Sequence, residues 1–447
     1  MNFSKTILND KTSIQAQTIK GKTYPPHKKR DFSLLLISLM FVAGTLISLL
    51  CNIKVFDIMK NYSYNVLVIL IVMELFTNLI AETGIMQLLA IKIAKLSQGK
   101  KKSCLIYFGI MTFFISAFLN NITAVMIILP IVFVLLKALD VNRKYICVFF
   151  SIILSLSNTG GAASPIGDFP AIVIMTSGIT DFINYFNRAM PLFIITSIIL
   201  ILLWSTQVES DDQEKSSIRK LAVINLNSQY KNIQIRYDLL KWLAGVFGLM
   251  FLAWSLVPQS IVPPEIIAVL GYALALIICS FKGCRVLQKM DLKSVLTIAS
   301  FLFCAEVISQ TGFLSILARH LQDHITNPKL LIVAIMLITA VASGVFSAGP
   351  AAAAIMPIIV NNICEGPLKA QAHWVAVAYA AAICAGSSMF LWSATAGFIL
   401  SNKVNEASIN DTDNTPINWG NQQYWKYGLV NFIVQLLMAI IFIVIVL

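Results

Sequence analysis

The chain has 447 residues, 58% of them hydrophobic and only 12% charged, with a formal net charge of +12. A soluble domain of ordinary composition carries about a quarter charged residues, so a water-soluble fold is excluded. The apolar residues run in unbroken blocks, which excludes the alternation of a membrane β-barrel, and the basic residues fall between those blocks, where lipid topology rather than nucleic acid accounts for them.

In chain order, residues 1–32 form a polar tail, read as disordered and cytoplasmic, with Lys28, Lys29 and Arg30 ahead of the first apolar block. That block has no small-residue cleavage site and is expected to be a retained span. A helix of about 20 apolar residues matches the hydrocarbon thickness, and a span must satisfy its own backbone. On that basis membrane-crossing helices are predicted at 33–51, 64–80, 146–178, 188–206, 242–257, 264–281, 291–308, 372–398 and 424–447. Two further apolar stretches, 103–139 and 329–364, are interrupted at their middles and are read as re-entrant hairpins. The fold class expected is therefore an all-α polytopic membrane protein of two inverted repeats, each with a re-entrant hairpin and a broken transmembrane helix.

The charges orient the chain. Segments 1–32, 81–102, 140–145, 207–241, 282–290 and 399–423 hold 24 of the 33 Lys and Arg residues. The opposite side holds only Lys54, Lys60, Arg319 and Lys369 away from span edges. The positive-inside rule then puts the N-terminus in the cytoplasm and the chain in an inner (plasma) membrane.

The halves repeat. Glu82–Ala90 resembles Gln310–Ala318, Ala124–Pro130 aligns with Ala351–Pro357, and Thr159–Ala163 aligns with Cys384–Ser388, all at a nearly constant shift along the chain. The first repeat covers 33–206, the cytoplasmic loop and linking helix 207–263, and the second repeat 264–447. Inverted repeats with interrupted helices are the architecture of secondary transporters.

Four irregular places carry the chemistry: Leu119–Thr123, Ser157–Pro170, Ser347–Pro350 and Ala385–Gly397. Unwound backbone at membrane depth survives only when buried in protein or lining a wet cavity, where its amides and carbonyls bind ions. The candidate substrate- or ion-binding residues are Asn120, Asn121, Thr123, Asn158, Thr159, Gly160, Gly161, Asp168, Ser347, Gly349, Gly386, Ser387 and Ser388. Asn121, Thr123 and Asn158 supply neutral oxygens suited to Na⁺. An intramembrane carboxylate is costly and by default functional. Asp168 is therefore the first proton-relay candidate, followed by Glu74 and Glu306. The alternative for Asp168 is a cap on the helix that begins near Pro170. Glu82 is expected to open the next helix. His320 and His324, at i and i+4, lack a third metal ligand, and Trp419, Tyr424, Trp425 and Tyr427 read as an interfacial aromatic belt.

Leu119-Asn-Asn-Ile-Thr-Ala-Val with Leu129-Pro130, followed by Ser157-Asn-Thr-Gly-Gly-Ala-Ala-Ser-Pro-Ile-Gly-Asp-Phe-Pro170, resembles the ion transporter superfamily. The likeness is to its arsenite and sodium/proton antiporter (ArsB/NhaD-like) branch, with the citrate and dicarboxylate carriers more distant. The resemblance implies substrate bound between hairpin tips and broken helices, a homodimer, elevator-like movement and, in some arsenite exporters, a separate ATPase subunit. The sequence departs from the family at Phe169 and Ala171, where a proline and an asparagine are usual. It departs again at Ser347–Ala351, which lacks the usual Asn and Thr, and at Trp392, where a glycine is usual. The two halves thus differ in polarity.

The function expected is secondary active transport of a small ion coupled to H⁺ or Na⁺, with no organic cofactor, no resident metal and no nucleic-acid partner. A citrate or dicarboxylate carrier is the alternative substrate class. A passive channel or a membrane-embedded enzyme is the alternative of another kind. The chain has no GxxxxGK[ST] loop and no GxSxG motif, which argues against ATP use and against a serine hydrolase.

Overall fold

The computed structural model describes residues 32–138, 141–208, 235–282, 292–312, 327–360, 368–407, 409–410 and 415–447, together with 316, 320, 321 and 323–325. The polar tail, most of loop 207–241, the basic stretch 283–290 and the far end of the second hairpin lie outside these residues. So does most of the repeat text at 313–319.

Every regular element of length among the described residues is a helix. The first half contains α1 (Phe32–Leu50), α2 (Val55–Asn61), α3 (Tyr64–Glu82), α4 (Ile85–Ser97), α5 (Lys101–Phe118) and α6 (Asn121–Ala138). It continues through α7 (Arg143–Ala163), α8 (Phe169–Thr176) and α9 (Phe182–Ser205). After the loop come α10 (Tyr237–Leu256), α11 (Pro264–Lys282), α12 (Leu292–Gln310), α13 (Pro328–Phe346) and α14 (Ala348–Ile358). The chain ends with α15 (Ala372–Ser387), α16 (Gly397–Glu406) and α17 (Asn421–Val446).

Local chemistry sets the boundaries. Asn142, Asp181 and Asn327 cap α7, α9 and α13 by accepting from Tyr145 N, Asn184 N and Lys329 N at 2.8, 2.8 and 2.9 Å, each satisfying an amide the helix start leaves open. Gly84, at φ +77°, turns the chain between α3 and α4. Glu82 closes α3 instead of opening α4. Thr83, whose hydroxyl accepts weakly from Ile85 N at 3.4 Å, and Gly84 occupy the turn.

Eight of the described helices are long and apolar enough to cross a membrane: α3, α5, α7, α9, α10, α11, α13 and α17. Six of the nine predicted crossing segments fall on helices of this set; 33–51, 291–308 and 372–398 fall on α1, α12 and α15, outside it, while α5 and α13, expected as hairpin arms, are within it. The segments 146–178 and 372–398 each divide in two, at 164–168 and 388–396. The interrupted stretches are helical hairpins. α5 and α6 are joined by Leu119 and Asn120 alone, and α13 and α14 by Ser347.

The element order repeats. The starts of α3, α5, α6, α7 and α8 recur as those of α12, α13, α14, α15 and α16 at an almost fixed offset. That of α9 recurs as α17 at a larger offset, because the link 407–420 ahead of α17 is longer than the link 177–181 ahead of α9. Packing is reciprocal: α1 lies on α12 and α11 on α3, α6 on α16 and α14 on α8, α7 on α17 and α15 on α9. At the centre is α7, every residue of it from Tyr145 to Ala163 buried. Its partner α15 is alanine-rich through Ala376–Ala385, and small residues let membrane helices approach closely.

Candidate ion-binding site

The site forms where the first hairpin tip meets the bend between α7 and α8. Asn120 caps its own turn, its Oδ1 accepting from Ile122 N at 2.9 Å. Asn121, the first residue of α6, is fully buried and reaches across to the bend. Its Nδ2 donates to Asp168 Oδ2 at 2.7 Å. Asp168 is 7% exposed. It caps α8, its Oδ1 accepting from Phe169 N at 2.9 Å, and its Oδ2 accepts from Thr395 Oγ1 at 3.4 Å. Capping and a buried hydrogen-bond cluster thus coexist at one carboxylate.

A serine on α5 completes the cluster. Ser116 Oγ lies 2.5 Å from Asn121 Oδ1 and 2.7 Å from the Ser157 carbonyl oxygen. Ser164 Oγ donates to Ala117 O, which ties the bend to the same hairpin arm. Space for this is made by glycine. A Cβ on Gly160 would press on the Phe113 carbonyl, and one on Gly161 would stand against Asn121 Oδ1 and 2.8 Å from Asp168 Cβ.

The second half repeats the mechanics with other side chains. Ser343 Oγ donates to Ile383 O at 2.8 Å, as Ser116 reaches Ser157 O. A Cβ on Gly386 would press on the Ala340 carbonyl and lie 2.7 Å from Ser343 Cβ, as at Gly160. Where the first half has Asn121 and Asp168, the second has Ala348 and Thr395, both at the same shift along the chain. The second tip is tied through backbone: the hydroxyl of Ser347, at φ +83°, and Ala348 N donate to Ser393 O at 3.1 and 3.3 Å. Gly349 faces the Phe169 ring, so this tip abuts an aromatic ring.

The halves interlock. Asn158 Nδ2 donates to Ser387 O at 3.3 Å and Ser388 Oγ at 3.2 Å, while its buried Oδ1 has no partner. Gln435 Nε2 bridges Ser155 Oγ at 2.8 Å and Ser388 Oγ at 3.1 Å. Thr159 Oγ1 accepts from Ser197 Oγ at 3.2 Å and is held against its own helix turn. Two buried tyrosines then clamp the broken ends. Tyr185 on α9 donates to Ala162 O at 2.7 Å, and Tyr424 on α17 donates to Ser388 O at 2.6 Å.

Of the candidate residues, the structure joins Asn121 to Asp168, and Asn158 to Ser387 and Ser388. Gly160, Gly161 and Gly386 serve as close-packing positions. Thr123, two residues beyond Asn121, is turned ~200° around α6 and is half-buried. Asn121, Thr123 and Asn158 are not linked by hydrogen bonds: the Asn121 amide engages Asp168 and Ser116, and that of Asn158 engages α15. Glu306 accepts from Gln310 Nε2 at 2.8 Å on α12, and Glu74 is half-buried on α3.

One expectation changes. Trp419 and Tyr424 are fully buried rather than part of an aromatic belt, Trp419 packing on Phe150 at 5.8 Å. Trp425 is 44% exposed. His320 and His324 lie against each other, Nδ1 of His324 standing 2.8 Å from His320 O. No cluster of three His, Cys, Asp or Glu occurs among the described residues.

Ser116, Thr395, Gln435 and Tyr185 were not anticipated. The repeat carries the signal for the first two: at the shift that brings Asn121 onto Ala348, Asp168 falls on Thr395 and Ser116 on Ser343.

Comparison with known proteins matches the chain to a family model described as citrate transporter, over residues 27–384 and 249–447. An uncharacterized transporter of Mycobacterium tuberculosis is 25% identical over 390 residues, covering 85% of each chain. A 46 kDa membrane protein of Mycobacterium leprae is 24% identical over 324 residues, 71% of this chain and 73% of the other. Magnetosome protein MamN of Magnetospirillum gryphiswaldense is 23% identical over 345 residues, 77% of each.

Proposed function

This chain belongs to the citrate transporter family, and from that premise we propose that it is a secondary active carrier of a small ion in which Asp168 is the coupling group. The observation that carries the reading is the Asp168–Asn121 pair at 2.7 Å, buried where a hairpin tip of one half meets a bend closed by Thr395 of the other. A carboxylate is held at membrane depth only for a reason. Here its partners come from both halves, Asn121 from the first hairpin tip and Thr395 from the second bend.

The reciprocal packing of the halves supports the inverted-repeat reading, and the tight turns at Leu119–Asn120 and at Ser347 support re-entrant hairpins. The basic segments orient the N-terminus to the cytoplasm. On the same reading the carrier is a plasma-membrane homodimer, and Asn158 Oδ1 adds a neutral oxygen for Na⁺ near the crossing of α7 and α15.

Among the described residues, no Lys, Arg or His is bonded to Asp168. A net negative site accepts H⁺, Na⁺ or another cation directly, which favours an antiporter-like exchange. The second reading, a citrate-type carrier, is favoured by the family description. In this site a polycarboxylate would have to arrive with cations to offset its charge.

The test is flux into proteoliposomes under an imposed pH or Na⁺ gradient, with Na⁺, Li⁺, arsenite and citrate, with and without Mg²⁺, offered in turn. Saturable, gradient-dependent movement of one of these supports a carrier. Flux that neither saturates nor follows the gradient makes the protein a channel and overturns the proposal.

A further inference from the structure

We propose that Ser116 is a positioning residue for Asp168, and that the Ser116 hydroxyl and the Asn121 side-chain amide reverse together when Asp168 takes up a proton. The inference rests on the reading of Asp168 as the coupling carboxylate and assigns it a relay.

The basis is proton accounting. Ser116 Oγ lies within donating distance of two acceptors, Asn121 Oδ1 at 2.5 Å and Ser157 O at 2.7 Å, and a hydroxyl has one proton to give. With Asp168 ionised, Asn121 Nδ2 donates to Oδ2, Asn121 Oδ1 accepts from Ser116, and Ser157 O has no side-chain donor. With Asp168 protonated on Oδ2, its new O–H would face an amide nitrogen that is itself a donor. A half-turn of the amide about Cβ–Cγ removes that conflict. Asp168 then donates to Asn121 Oδ1, Asn121 Nδ2 donates to Ser116 Oγ, and the Ser116 hydroxyl turns to donate to Ser157 O. No two donors then face one another, and the contact of Ser116 with Ser157 O, at an ordinary 2.7 Å, is used in this state. One proton enters from water onto Asp168, and no covalent bond of the chain changes.

The second half serves as an internal control. Ser343 approaches Ile383 O at 2.8 Å, but Ala348 stands where Asn121 would, so its hydroxyl serves one acceptor and has nothing to reverse. The serine-to-carbonyl tie is common to both bends, and Asn121 converts one of them into a relay. The other titratable groups acting with Asp168 are Tyr185 on α9, whose hydroxyl is committed to Ala162 O, and Cys384 on α15. Glu74 lies half-buried on α3, which packs on α8, and no described Lys, Arg or His is hydrogen-bonded to Asp168.

The experiment is a pH titration of the purified full-length chain in nanodiscs by infrared difference spectroscopy. It follows the protonated-carboxyl C=O stretch that is absent from Asp168→Asn. Ser116→Ala costs the protonated arrangement two hydrogen bonds and the ionised one only one. The midpoint of the band is therefore expected to fall by roughly one pH unit. Ser116→Thr retains the hydroxyl and is expected to titrate as the wild type. Should the methyl group not fit beside Gly160, Ser116→Cys, a weak donor, is expected to fall between the two. An unmoved midpoint in Ser116→Ala overturns the relay, as do equal shifts in all Ser116 variants or a wild type with no Asp168 band. The readout needs no transport, so gradient-driven flux persisting in Asp168→Asn would sink the coupling role separately.

Discussion

The bend after α7 and the bend after α15 share their mechanical parts. Each has a glycine pressed on a hairpin carbonyl, a serine within hydrogen-bond distance of a carbonyl on the broken helix, and a tyrosine clamping the broken end. They differ in what those parts hold. The first bend presents a buried carboxylate and an amide, while the second presents Thr395 and Ala348 at the same positions. The shared parts define a scaffold that both halves build, and the differing parts put the buried carboxylate at the first bend. On the proposed reading, coupling belongs to that half and clamping to both.

The comparison breaks first at Asp168. Asparagine is as good a helix cap as aspartate, so Asp168→Asn keeps the start of α8, removes the charge and replaces the acceptor Oδ2 by an amide donor. Gradient-driven flux in proteoliposomes is expected to fall to background, while the elution profile of the purified protein stays unchanged. The matching change in the other half, Thr395→Val, removes one 3.4 Å hydrogen bond. It is expected to slow flux by a factor of about five at most, since such a bond contributes ~1 kcal/mol. Equal losses in both variants would mean the halves share the ion site, contrary to the proposed division.

The next effect tests the scaffold. Gly160→Ala and Gly386→Ala each set a methyl group against the carbonyl of a neighbouring helix, on Phe113 and Ala340. Backbone in a packed helix pair gives little, and overpacking costs about 1–3 kcal/mol. Both variants are expected to lower the thermal midpoint in detergent by several degrees, and by similar amounts. Tolerance at Gly386 with loss at Gly160 would show that the second bend is loose and that the likeness of the halves stops at sequence.

How much of this was legible follows from which physical signal each feature carries. The spans were legible, because lipid demands long apolar runs, and α3, α7, α9 and α11 begin within a few residues of the blocks that announce them. The bends and hairpin tips were legible through Asn, Gly and Pro interrupting those runs. Asp168 and Asn121 stood out as polar residues at depth, and the structure adds that they touch. Ser116 was legible only as the repeat partner of Ser343, because a serine in an apolar helix more often returns its hydroxyl to its own backbone. Its role depends on α7 lying beside α5. Tyr424 was misread because an aromatic residue at the start of a last span looks interfacial. The longer link ahead of α17 breaks the otherwise steady offset between the halves, so a search at constant shift does not pair Tyr424 with Tyr185.

That pairing supplies the smallest effect. Tyr185 and Tyr424 are each the fourth residue of their helices, α9 and α17, and the acceptors Ala162 and Ser388 occupy matching places at the two broken ends. Both hydroxyls are buried and each donates one short bond, at 2.7 and 2.6 Å, to its carbonyl. Such a carbonyl has lost its helical partner, so the tyrosine supplies the donor that the next turn would have provided. Phenylalanine in either place keeps the ring packing and removes that donor, at a cost near ~1 kcal/mol. Tyr185→Phe and Tyr424→Phe are each expected to lower the thermal midpoint slightly and equally. The hydroxyls donate to different carbonyls, while both rings lie near Cys384, so the double variant measures how far the two clamps are coupled: shifts that sum mean independent clamps. Flux should separate them: Tyr185 acts beside Asp168 and its variant should alter the pH dependence of transport, whereas Tyr424→Phe should leave that profile in place. If Tyr424→Phe moved the profile and Tyr185→Phe did not, the ion chemistry would belong to the second bend.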